Sequence, residues 1–138
     1  MGHVYAEIEL INGDDFSDAH RHRIGEEEVR RMRVTMMADS GAYMMAINEN
    51  IQAYLNLRFQ YKQPFHLADD RTVECDVVGP VEVRFGNRRA TCNAIVLPGG
   101  SEPLLGAIPM EEMDVLIHPS RQELIVNPKH PESAVLRL

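Results

Sequence analysis

Turn-forming residues cut this chain into segments too short for anything but strands and a few small helices. Asn12-Gly13, Gly79-Pro80, Gly86-Asn87 and Pro98-Gly99-Gly100 each punctuate it. Glycine reaches backbone angles closed to other residues, and proline lacks an amide hydrogen. Between these breaks the apolar residues recur at every second position. Val4, Ala6, Ile8 and Leu10 alternate with Tyr5, Glu7 and Glu9, while Met32, Val34 and Met36 alternate with Arg31, Arg33 and Thr35. A period of two sets one face of a strand on a core and the other in water.

The same reading continues along the chain. Residues 65–67 and 72–78 flank a polar tip, Ala68, Asp69, Asp70 and Arg71, as one hairpin. Residues 81–85 and 90–97 flank Gly86-Asn87, a pair suited to a tight turn, as a second. Residues 115–117 and 123–126 form a last hairpin around 118–122. Two short helices are expected. Ile47, Ile51 and Leu55 recur at every fourth position, and Pro109 suits the first turn of a helix over 109–114. Residues 14–29 are charged and aperiodic, which predicts a solvated loop, and 129–138 read as a tail or an interface segment. Many short strands with two small helices predict a mainly β fold, a closed barrel or a sandwich.

At 138 residues the chain is sized for a single domain over 1–138, with a core over about 30–128. Its net charge of -7, with Lys and Arg scattered, argues against nucleic acid and against an anionic membrane surface. No apolar run is long enough to span a bilayer. Glu7 and Glu9 near the start do not suit a secretory leader, so the cytoplasm is the expected compartment. Cys75 and Cys92 each fall within a predicted strand and read as reduced core thiols.

Chemistry converges with local sequence at one place. The strand ending in Met36-Met37-Ala38 runs straight into Asp39-Ser40-Gly41-Ala42. Asp, Ser and Gly all favour turns over strand interiors, so a carboxylate is set at the end of a buried strand. Gly41 lets the backbone turn or approach a neighbour without a Cβ clash, and Ser40 offers a hydroxyl for bridging. Taken alone, the tripeptide is better read as a strand-ending turn in which Asp39 caps the next element.

The wider order of landmarks is more specific. The strand over 33–38, Asp39-Ser-Gly-Ala42, the helix over 47–57, the hairpin with its tip at 68–71 and Leu104-Leu105-Gly106-Ala107 before a short helix follow one another. In this order the chain resembles the retropepsin-like, or clan AA, aspartic proteases, and within them the bacterial branch. The resemblance implies a closed acid-protease-like barrel, one retropepsin-type lobe with one or two short helices. It implies that Asp39 is the catalytic carboxylate, supported by Ser40, Gly41 and Ala42. Leu104, Leu105 and Gly106 would complete a psi loop beside it. The hairpin tip at Ala68, Asp69, Asp70 and Arg71 would be the flap, although its charges contrast with the glycine-rich tips of the viral enzymes. The family's chemistry uses two carboxylates and needs no cofactor. Only one Asp-Ser-Gly occurs here, so the implied enzyme is a homodimer acting on an extended peptide or protein substrate, with one Asp39 from each subunit. The alternative is a non-catalytic peptide-binding or interaction module that keeps the fold.

Other clusters carry less. His20 and His22 sit in a charged stretch without a third ligand, and Asp69-Asp70 and Glu26-Glu27-Glu28 follow no calcium-loop spacing, so no metal site is expected. Met36, Met37, Met44 and Met45 flank Asp39 and read as core filling, with a soft groove wall as the alternative.

Overall fold

The computed structural model describes residues 2–138 and is mainly β, with three short helices. The chain opens with β1 (Val4–Asn12), whose Val4, Ile8, Leu10 and Ile11 are buried. It pairs antiparallel with β2 (Arg31–Ala38), from Val4 opposite Ala38 to Ile11 opposite Arg31. After β2 come β3 (Met45–Asn48), α2 (Glu49–Leu55), β4 (Phe59–His66) and β5 (Thr72–Phe85). The chain continues with β6 (Arg88–Leu97), β7 (Leu104–Leu105), α3 (Ala107–Met113), β8 (Val115–His118) and β9 (Glu123–Val126).

Strands β1 to β7 form one sheet in the order β1-β2-β7-β3-β6-β5-β4, and β1 also pairs with β5. The pairings therefore return on themselves through six strands, while β4 hangs outside on β5. This ring is consistent with the acid-protease-like lobe expected from the sequence. Its narrowest link is β7, which meets β2 at Met37–Leu104 and Ala38–Leu105 and meets β3 at Ala46–Leu104 alone. Ile8, Leu10, Met36, Met45, Ile47, Leu55, Val81, Val83 and Leu105 fill the interior.

Strand β5 does two jobs. Thr72–Val78 pairs with β4, and Val81–Arg84 pairs with β1, while β6 accompanies it from Val77 to Phe85. Gly79-Pro80, expected to end a strand, is instead a bulge within one, where the register on β6 shifts between Val78 and Val81. Gly79 has φ of 151°, and a Cβ there would run into the Asn93 side chain. Only glycine fits that backbone and that space.

The charged stretch 14–29 departs most from expectation. It is not a loop throughout, because its first part forms α1 (Gly13–His20) and Glu26–Glu28 makes a 3₁₀ turn. The buried Asn12 caps α1, its Oδ1 accepting from the Asp15 amide at 3.0 Å. Asp15 is buried and accepts from Arg30 Nε at 2.8 Å and Nη2 at 2.9 Å, a bidentate pair that ties α1 to the start of β2. Phe16 lies under the Arg84 and Arg89 guanidinium groups. Ile47, expected in a helix, belongs to β3, and α2 begins after Asn48, whose Oδ1 accepts from the Ile51 amide at 2.9 Å.

Residues 129–138 contain no strand. They fold back over the turn between β5 and β6. Asn87 Nδ2 donates to the carbonyls of Pro131 and Glu132, both at 3.0 Å, and Arg88 donates to the carbonyl of His130. Asp114 accepts from His130 Nδ1 at 2.7 Å and from the Val135 amide at 3.1 Å. No helix is long and apolar enough to cross a membrane among the described residues.

Candidate active site

Asp39 leaves the end of β2 at the ring's narrowest link, and β7 holds it there. The Met37 amide donates to the Pro103 carbonyl and the Asp39 amide to the Leu105 carbonyl, both at 3.0 Å. Strand β7 thus runs between β2 and β3, parallel to the first and antiparallel to the second. The loop beyond Ala38 turns at once. Asp39 Oδ1 accepts from the Gly41 amide at 2.9 Å, and the Ala42 amide donates to the Asp39 carbonyl at 3.1 Å.

The far side of the loop is stitched to the start of α3. The Ala107 amide donates to the Ala42 carbonyl at 2.8 Å, and the Ile108 amide to the Tyr43 carbonyl at 3.1 Å. These amides open a helix and have no partner within it, so the loop supplies what the helix lacks. Gly106 makes the approach possible. A Cβ there would collide with the Met44 carbonyl and come within 2.8 Å of the Ala42 carbonyl oxygen. The structure therefore brings Asp39, Gly41, Ala42, Leu104, Leu105 and Gly106 together, although 65 residues separate Asp39 from Leu104 along the chain, by 104 minus 39.

A groove of about 410 Å³ opens over this loop. Asp39, Gly41, Ala42 and Leu104 line its floor side, Ile95 and Leu97 come from β6, and Phe65, Leu67 and Ala68 come from the β4–β5 hairpin. Among the described residues, Asp39 is the only carboxylate that lines it. Phe65 and Val73 pack with Ala46, Cys75, Val77 and Ile95 in a small apolar cluster, which roots the hairpin beside the groove.

The rest of the hairpin tip does not line the groove. Asp69, Asp70 and Arg71 are exposed, and Asp69 and Arg71 pair with each other. Asp69 accepts from the Arg71 amide at 3.1 Å and from its Nε at 2.7 Å. The Arg71 amide and guanidinium hold the Asp69 carboxyl below its ordinary value. Two of the three charges at this tip are thus spent on making the turn, and the hairpin lines the groove with Phe65, Leu67 and Ala68 together with His66.

Ser40 is exposed and lies outside the groove, in a separate hollow with Leu116 and Ile117. Of the four methionines near Asp39, Met36 and Met45 are fully buried in the core. Met44 lines the groove and Met37 lines a hollow on the other side of Asp39, so both readings of these residues hold in part. Sequence reasoning missed Ile95, Leu97, Phe65 and Leu67 as groove residues, although the alternation along β6 marked Ile95 and Leu97 as one face. Among the described residues no three His, Cys, Asp or Glu side chains gather as a metal site. Cys75 and Cys92 are free thiols, and burial pushes Cys92 up to about 12.

A mainly β ring, pinched where an Asp-Ser-Gly loop, an apolar strand and a helix start are bonded together, is the build of an acid-protease lobe of the retropepsin-like clan. The chain belongs to the aspartyl protease family, whose sequence profile matches residues 23–108. No curated protein matches it.

Proposed function

We propose that the chain is a homodimeric aspartic endopeptidase in which two copies of Asp39, one from each subunit, activate a water molecule. The observation that carries this reading is a single carboxylate in the lining of a groove that the β4–β5 hairpin also lines, in a chain of the aspartyl protease family. One carboxylate cannot act as both acid and base in the same step. Two held close together share one proton, because both cannot ionise cheaply. The ionised Asp39 takes a proton from the water as its oxygen attacks the peptide carbonyl. The protonated Asp39 gives its proton to the carbonyl oxygen, which yields a gem-diol. Collapse of the gem-diol, with proton transfer to the amide nitrogen, releases an amine and a carboxylic acid. The titration belongs to the pair.

Ser40, Gly41 and Ala42 would hold the two loops in place, and Leu104, Leu105 and Gly106 would fix each loop to its own ring. The β4–β5 hairpin, with its tip at Ala68 to Arg71, would act as the flap. An extended peptide running between floor and hairpin meets backbone groups on both sides and apolar pockets for its side chains.

The test is cleavage of an unstructured protein at mildly acidic pH by the parent and by Asp39→Asn. The parent should cut and the variant should not, with the dimer and the fold unchanged. Equal rates for the two would remove Asp39 from the chemistry. An intact dimer that binds peptide and never turns it over would mark the chain as a binding module on the same fold.

A further inference from the structure

The turn between β5 and β6 gathers positive charge in a chain whose net charge is -7. Arg84, Arg88 and Arg89 surround it, and a hollow of about 260 Å³ there is lined by these three with Gly86 and Asn87. The hollow shares no lining residue with the groove over Asp39. No carboxylate lines it among the described residues.

The three guanidinium groups have more donors than the chain has acceptors for them. Arg84 and Arg89 face each other across the ladder and lie over the Phe16 ring at 5.2 and 5.5 Å. Both converge on one oxygen of the buried Glu82, Arg89 Nη2 at 2.5 Å and Arg84 Nη2 at 3.2 Å. The other oxygen of Glu82 accepts from the Thr91 hydroxyl at 2.8 Å, and Arg84 Nε is left buried without an acceptor. Arg88, one residue before Arg89, turns to the opposite face of the ladder. It is only 2% exposed and pairs with no carboxylate among the described residues. The His130 carbonyl accepts from it, and its Nε and Nη1 are buried with no partner. The two faces meet where the ladder ends, at Phe85 opposite Arg88, and the hollow lies at that end.

A buried cation with unmade hydrogen bonds is costly, and an ion that belongs beside it is one of the few explanations. Three guanidinium groups against the single carboxylate of Glu82 leave a local charge of +2, by 3 minus 1. A phosphate dianion cancels that charge, whereas one carboxylate would cancel half of it. Guanidinium forks also match the paired oxygens of a phosphate. The volume is below the roughly 300 Å³ at which pockets for drug-sized ligands begin, which suits one phosphate group.

We propose that this hollow binds phosphate, as the free ion or as the phosphate of a small monoester, and that Arg84, Arg88 and Arg89 hold it. The site is independent of the peptidase reading. Its ligand would lie beside the segment that Asn87 and Arg88 already bind through the carbonyls of His130, Pro131 and Glu132.

Titration of the parent with inorganic phosphate at about pH 8, where the dianion dominates, tests the site by amide NMR shifts at constant ionic strength. Saturable shifts should centre on Gly86, Asn87 and Arg88, with none at Gly41 or Ala42. Arg88→Met and Arg89→Gln should each raise the dissociation constant at least about tenfold, as for loss of a charged hydrogen-bonding group. Arg58→Gln, which removes an exposed pair with Asp14, should leave it unchanged. Arg89 is largely exposed, so its variant answers the question if Arg88→Met fails to fold. Adenosine monophosphate binding as phosphate does upholds the free ion as ligand, and tighter binding of the nucleotide upholds a monoester. The absence of any saturable shift at millimolar phosphate, or shifts centred elsewhere, would overturn the proposal. So would parent-like binding by both arginine variants with unchanged circular dichroism.

Discussion

The amide of Asp39 donates to the carbonyl of Leu105 at 3.0 Å. The position of the carboxylate is thereby set from a strand that follows it by 66 residues, by 105 minus 39, and not by its own loop alone. Whatever displaces β7 displaces Asp39, and the buried glycine that follows β7 is the tightest point of that dependence.

Gly106→Ala is expected to disturb this arrangement. The added methyl would meet the backbone at Met44 and Ala42, neither of which is the end of a flexible side chain. The expected cost is about 1–3 kcal/mol in urea denaturation, the range for overpacking a filled site. Cleavage should fall by far more than the folded fraction, because the residue that shifts is joined to Asp39. Wild-type activity at reduced stability would show that β7 does not position the carboxylate.

The two halves of the hairpin tip should behave differently. Leu67 lines the groove, and Leu67→Ser should raise KM roughly tenfold, as expected for losing about 1–2 kcal/mol of apolar contact with substrate. Asp69→Ala and Arg71→Ala remove an exposed pair that faces itself, and kcat/KM should change less than about threefold. A larger effect from the charged pair than from Leu67 would place the tip's charges on the substrate.

Acid should free the tail before it unfolds the ring. The amide of Val135, the Asn127 side chain and His130 hold the Asp114 carboxyl down at about 2, below its ordinary 3.8. A carboxyl depressed in the folded state adds stability above its unfolded value, and that contribution is lost as pH falls through the folded value. The contacts to 127–135 should therefore weaken between about pH 4 and pH 2. The protection factor of the Val135 amide, its exchange relative to an unstructured amide at the same pH, should fall in this window while the amides of β1 and β5 stay protected, and Asp114→Ala should give the low protection at every pH.

Asn12→Ala should be costly for so small a change. Its Oδ1 caps α1, and its Nδ2 donates to the carbonyls of Leu55 at 2.9 Å and Asn56 at 3.2 Å, at the end of α2. Loss of the cap and stranding of a buried carbonyl predict a destabilisation of about 2–4 kcal/mol. Denaturant unfolding should show it.

The sequence displayed the site more readily than its surroundings. Asp39 was visible because three turn-forming residues end an apolar strand, and the β5–β6 pairing was visible because Gly86-Asn87 fixes its turn. Helix α1 was hidden because it buries only Asp15 and Ala19 and leans on an ion pair with Arg30, so no apolar stripe announces it. Strand β4 lies at the outer edge with most of its residues exposed, which leaves little alternation to read. Ile47 shared its spacing with Ile51 and Leu55 by coincidence of a strand that runs into a helix. The groove walls depend on β3 lying parallel to β6, a pairing between distant segments that local pattern does not encode.

Because β5 is one unbroken strand from Thr72 to Phe85, the hairpin above the groove is not a lid hung on two loose loops. The far half of β5 lies between β1 and β6, and the register shift at Gly79-Pro80 divides that half from the one beside the groove. The half of β5 beside the groove is still continuous with the half that pairs with β1, and β1 is the immediate neighbour of the strand that carries Asp39.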